Sequence, residues 1–175
     1  MSEWTETLII LLFGTALEGL CASRIARKFQ DAEPIWQYYI PLYNVLVYSR
    51  FSSMPRKLVY ILVAFQAFDL AASFLPQTYP EIATLQVFSM SIGFGLWAYM
   101  VATIAERLGQ RFWQYLTVQI LSVIAANFVV TAILHAAIPG YTPEAAAIPL
   151  WAQAISVIIV SLPFLSLAFD QKARP

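Results

Sequence analysis

Asp69 is the side chain best placed to do chemistry, because it falls inside the apolar run Leu58 to Leu75, where inserting a carboxylate costs about 2.5 to 3.5 kcal/mol. A group held there at such a cost needs a partner or a task. Gln66, Asp69 and Ser73 recur at i, i+3 and i+7 and so share one helix face. A second polar stripe, Asn127, Thr131 and His135, repeats every four residues in the run Leu116 to Ile138. Gln153 and Ser156 add to it from the last apolar run. Counting about 1.5 Å per residue puts Asp69 near the level of Asn127 and Thr131, with His135 roughly 8 Å further out. The six residues of the two stripes form a candidate intramembrane cluster with two readings. One is a polar cavity that binds or passes an ion, a proton or a small solute. The other is a set of interhelical hydrogen bonds that fix packing, worth about 0.6 kcal/mol each in a membrane.

The elements that must position these residues follow from composition. The chain is 60% hydrophobic and 11% charged, against about 45 to 50% and 25% in a soluble domain. Its 175 residues therefore read as one all-α transmembrane domain, 1–175, an integral membrane helical bundle. About five spans are expected, at about 5–22, 58–75, 85–105, 116–138 and 150–169. The N-terminus lacks the positive region of a cleavable signal peptide, so the first span is expected to stay.

The basic residues fix the topology. Arg24, Arg27, Lys28, Arg50, Arg56, Lys57, Arg107, Arg111, Lys172 and Arg174 all fall on one side of a five-span chain, and positive loops stay in the cytoplasm. The N-terminus is then outside and the C-terminus inside, in a membrane expected to be the bacterial cytoplasmic one. The stretch Ile35 to Phe51 is apolar enough to suggest a sixth crossing, but a crossing would divide the basic residues three against seven. Pro41 and Asn44 at its middle also argue for a broken, interfacial or shallow re-entrant segment, within about 30–55. Its aromatic residues Trp36, Tyr38, Tyr39, Tyr43 and Tyr48, with Trp113 and Tyr115, are expected in the inner interfacial belt, and Trp4, Tyr79, Tyr141 and Trp151 in the outer one.

Other polar groups have plainer readings. Glu18, placed in the inner third of a first helix ending near Ala22, is expected to snorkel toward Arg24 and Arg27. Cys21 reads as a small packing residue. Ser89 with Gly93, and Ser91 with Gly95, are small-residue pairs that let another backbone approach. One cysteine and one histidine supply neither a multi-cysteine metal site nor both axial ligands of a haem. No cofactor is expected, and no metal.

The run Ala26 to Arg50, ARKFQDAEPIWQYYIPLYNVLVYSR, resembles the hallmark of a family of small prokaryotic multi-pass membrane proteins of unknown function. That family places a Trp ahead of an Ile-Pro-x-Tyr-Asn core, matched here by Trp36, Ile40, Pro41, Tyr43 and Asn44. IAERLG, Ile104 to Gly109, and LPFLSLAFDQ, Leu162 to Gln171, are similar to two further elements of the family. The sequence departs from the pattern where Phe51 to Pro55 replaces a Gly-Lys-Pro-Trp stretch, and where an additional span separates the second and third matches. The resemblance implies a fold and a topology and no activity.

These features lead to a non-enzymatic polytopic membrane protein, expected to serve as a structural or accessory subunit of a membrane complex. The alternative is a small channel or transporter for an ion, proton or small solute, built on Asp69. A lipid-acting membrane enzyme is the third reading, and it lacks the paired acid, base and nucleophile that it would need. The expected partners are the lipid bilayer and other membrane subunits or further copies of the chain; nucleic acid is not among them.

Overall fold

Each long apolar run becomes a helix whose ends are set by proline, by a left-handed residue or by charge. The computed structural model describes residues 3–31, 34–74, 80–138 and 148–172, with the side chains of Glu3, Trp4, Pro80 and Ala83 excepted. Among the described residues there are six α-helices: α1 (Glu3–Lys28), α2 (Tyr43–Phe51), α3 (Arg56–Ala72), α4 (Pro80–Arg107), α5 (Phe112–Ala137) and α6 (Leu150–Phe169). A 3-10 turn, Ile35–Tyr39, precedes α2. Pro55 and Pro149 stand immediately before α3 and α6, where the missing N–H removes nothing from the ladder. Gly109, at φ 74°, closes α4 while the Gln110 N–H returns to the Ala105 carbonyl at 2.9 Å.

The all-α membrane bundle expected from composition is the observed fold, with different bounds. Where about five crossings are expected, four of the described helices, α1, α4, α5 and α6, are long and apolar enough to cross a membrane. The 17 residues of α3 span about 26 Å, slightly less than a hydrocarbon core of about 30 Å. Helix α1 continues six residues past the expected end at Ala22, to Lys28. Ile25 and Ala26 carry it on, because both are buried in the core.

Packing runs in a row, α3 on α4, α4 on α5, α5 on α6 and α6 on α1, with α2 wedged against α1, α3 and α4. The two end members, α1 and α3, do not pack substantially on each other among the described residues. Helix α3 lies antiparallel on α4: the Ser89 hydroxyl donates to the Phe65 carbonyl at 3.4 Å, and a Cβ on Gly93 would meet the Phe65 Cβ at 3.5 Å. The Ser89 and Gly93 pair thus serves packing within the chain. Ser91 and Gly95 are exposed.

Four C-termini meet at one end. The Lys28 ammonium donates to the Leu167 carbonyl at 2.8 Å and to the Asp170 carbonyl, closing α6 with a cation where its dipole is negative. Arg107 donates to the Arg50 carbonyl at 2.9 Å and lies over the Phe29 ring, as Arg24 lies over Phe169. Helices α3 and α5 begin at this end, so every described Lys and Arg gathers there; Arg174 lies outside the described residues. Beneath the charges is a core of Tyr48, Trp97 and Phe164, meeting edge to face at 5.4 to 5.6 Å, with Phe29 stacked on Phe51. Tyr38 and Tyr48 are therefore core residues rather than members of an interfacial belt, whereas Trp36 and Trp113 remain exposed. Tyr79 and Tyr141, and the Trp4 side chain, lie outside the description.

Pro163 lies inside α6, where its missing N–H takes the i→i−4 donor from the Ile159 carbonyl and its ring crowds the preceding turn. One residue further on, Gln119 of α5 donates to the Val160 carbonyl at 2.9 Å. Gln119→Leu is expected to lower stability by only about 1 kcal/mol in detergent unfolding. The cost is small because Ser122 also reaches that carbonyl at 3.4 Å and because the Gln119 Oε1 is a buried acceptor without a hydrogen-bond partner among the described residues.

Candidate functional site: an acidic cleft between α1 and α3

Because α1 and α3 stand apart, α2 fills only the basic half of the gap between them, and the other half is a cleft of about 340 Å³. Its α1 wall is the face Thr7, Ile10, Leu11, Gly14, Thr15 and Glu18, at i, i+3, i+4, i+7, i+8 and i+11. Gln66, Asp69, Leu70 and Ser73 form the α3 wall, and Pro41, Leu42 and Asn44 the floor. Two carboxylates thus line one cleft from two separate helices. No Lys, Arg or His is among the residues that line it.

The floor is built by the segment that read as interfacial. Leu42 adopts φ 65° and ψ −42°, with the Tyr43 N–H on the Pro41 carbonyl at 2.8 Å. This is the strained, positive-φ form of the γ-turn, in a conformation that a bulky side chain rarely takes. It turns the chain into α2, whose Asn44 is 2% exposed and donates from Nδ2 to the Glu18 Oε2 at 3.1 Å. One turn further on, the buried Tyr48 hydroxyl donates to the Glu18 backbone carbonyl at 2.6 Å. The Tyr39 ring closes over Gly19, where an added Cβ would stand 2.4 Å from the ring. The segment is therefore broken into a 3-10 turn and a short helix and locked onto α1 around Glu18. Of the motif residues only Asn44 points inward; Trp36, Ile40, Pro41 and Tyr43 are exposed.

Gly19→Val is expected to force Tyr39 away and cost about 1 to 3 kcal/mol, the usual range for overpacking. Tyr39→Ala in the same chain should recover most of that loss. Thermal unfolding of the single and double variants checks the coupling.

Asp69 and Glu18 differ in how they are held. Asp69 Oδ1 is buried with no hydrogen-bond partner among the described residues, whereas Glu18 keeps its bond to Asn44. Ser73 donates to the Asp69 backbone carbonyl at 2.8 Å and accepts from Gln86 at 3.4 Å, closing the end of α3. An unneutralised carboxylate in apolar surroundings is costly, so the cleft is suited to a proton or a cation.

The sequence-derived cluster divides. Gln66, Asp69 and Ser73 share the cleft, whereas Asn127, Thr131 and His135 do not approach it. Those three are exposed on α5, which packs on α4 and α6. Asn127 donates to the Val123 carbonyl of its own helix at 3.0 Å and borders a separate depression with Gln153 and Ser156. The shared level of Asp69, Asn127 and Thr131 does not bring them together, because α3 and α5 each pack on α4 and not substantially on each other among the described residues. Snorkelling of Glu18 is also corrected. With α1 running to Lys28, Glu18 lies about 9 Å along the helix from Arg24 and about 14 Å from Arg27, and Asn44 holds its carboxylate on the cleft floor instead. Its helical spacing from Thr7 and Thr15 was the signal available in the sequence. Cys21 is buried, in keeping with a packing role. Among the described residues no group of three or more His, Cys, Asp or Glu is placed to hold a metal ion.

Comparisons with family models, curated proteins and solved structures return no match for this chain.

Proposed function

We propose that this polytopic membrane protein is non-enzymatic and acts as a small transporter or channel whose solute or ion binds in the α1–α3 cleft. The observation that carries this reading is the pair of carboxylates, Glu18 and Asp69, lining one cleft that has no basic residue in its wall. A cation or proton supplies the compensation that the protein does not, and the gap between two unpacked helices gives it a way in. The strained turn at Leu42 fits the reading as well, since such backbone clusters at ligand clamps and switch regions. Gathering of the basic residues at one end supports a cytoplasmic C-terminus, and the Trp36 to Asn44 motif supports membership of the family of small prokaryotic membrane proteins that it resembles. A bacterial inner membrane is the corresponding location.

A second observation favours the accessory-subunit reading beside this one. Asn127 and Thr131 are exposed on an apolar helix, and outward polar side chains of that kind hydrogen-bond across helices in membranes. The two readings separate in one experiment: reconstitution of the purified chain in sealed vesicles, with cation and proton flux recorded for the wild type and for Asp69→Asn. Flux that depends on Asp69 supports the transporter. Flux indistinguishable from that of protein-free vesicles removes it and leaves the subunit.

A further inference from the structure

We infer that the cleft takes an organic cation, an ammonium or phosphonium carrying apolar groups, rather than a bare metal ion; the inference rests on the transporter reading and names its substrate class. Size is the first argument. A volume of about 340 Å³ lies at the lower end of the roughly 300 to 1,000 Å³ of pockets for organic small molecules.

The placement of the oxygens is the second. A hard cation needs about six or more oxygens converging on one point. Here the polar groups of α1, from Thr7 to Glu18, are spread over about 16 Å, with Ile10, Leu11 and Gly14 between them. That alternation suits a molecule with a charged centre and apolar arms. The charge is to sit between Asp69 and Glu18, the two acidic residues of the lining, with the Glu18 carboxylate oriented by Asn44. The separation of α1 from α3 lets the arms enter from the lipid side without unfolding a helix.

The test uses the full chain in phosphatidylcholine nanodiscs, titrated calorimetrically with tetraphenylphosphonium and, separately, with sodium and calcium chloride. Saturable phosphonium binding is expected, weakened at least tenfold by Asp69→Asn and at least tenfold by Glu18→Gln, with no carboxylate-dependent heat from the inorganic ions. Both substitutions keep the side-chain shape, and an unchanged thermal transition shows that the variants are folded. Asp69-dependent binding of sodium or calcium, without binding of phosphonium, overturns the organic-cation inference and leaves the transporter reading in place. Phosphonium uptake that neither substitution alters is partition into lipid and overturns the organic-cation inference; the transporter reading falls with it only if Asp69-dependent proton and cation flux is also absent from the vesicles.

Discussion

Asp69→Asn is expected to bring flux through reconstituted protein down to the level of empty vesicles while leaving the fold as stable as before, or more stable. The two halves of that outcome have one cause. The Asp69 Oδ1 has no hydrogen-bond partner among the described residues, so replacing the carboxylate loses no hydrogen bond from that oxygen. An amide is also cheaper than a charge in apolar surroundings, so the fold is expected to be no less stable. Binding of a cation has the opposite dependence, since an amide offers it no charge. Thermal unfolding in detergent and vesicle flux, measured on one preparation, read both. If the variant unfolds at markedly lower temperature, Asp69 is a structural residue, and the ligand role assigned to it is wrong.

The largest loss of stability is expected from Tyr48→Ala, at about 3 to 5 kcal/mol, the range for deleting a buried aromatic ring. Tyr48 is fully buried and its ring meets both Trp97 and Phe164, so it joins α2 to α4 and α6. Its hydroxyl joins α2 to α1 through the Glu18 carbonyl. Tyr48→Phe keeps the ring and drops only the hydroxyl, and is expected to cost about 1 to 2 kcal/mol. Equal losses from the two substitutions would mean that the ring contacts are worth nothing, contrary to the packing described. Loosening α2 also releases Asn44 from Glu18, so Tyr48→Ala should lower flux in whatever fraction remains folded.

Helix existence was legible in the sequence wherever lipid dictates it, because a backbone in hydrocarbon must satisfy its own hydrogen bonds. Leu150–Phe169 has the bounds expected for it, and Phe112–Ala137 starts four residues early. Bounds failed where the helix leaves the apolar run: Arg24 to Lys28 are polar enough to end a hydropathy window, yet Ile25 and Ala26 bury themselves and keep α1 going. That error displaced Glu18 from mid-helix to the interface and removed it from the candidate site. Asp69 was legible because a lone acid in an apolar run is conspicuous at any register.

By itself, then, the sequence determined that this is a membrane bundle of helices, that its described Lys and Arg residues lie at one end, that residues 35–51 are broken rather than one long helix, and that Gln66, Asp69 and Ser73 share a face. Each of these depends on local composition or on the fixed period of a helix. Only the tertiary structure decided which faces meet. Spacing along α5 gives Asn127, Thr131 and His135 a common side but does not say what lies opposite, and the packing row turns that side outward. It was likewise the wedge of α2 between α1 and α3 that set Asn44 on Glu18 and left the other half of the seam open. Contacts between segments far apart in the chain depend on the shapes of whole surfaces, which no local pattern encodes.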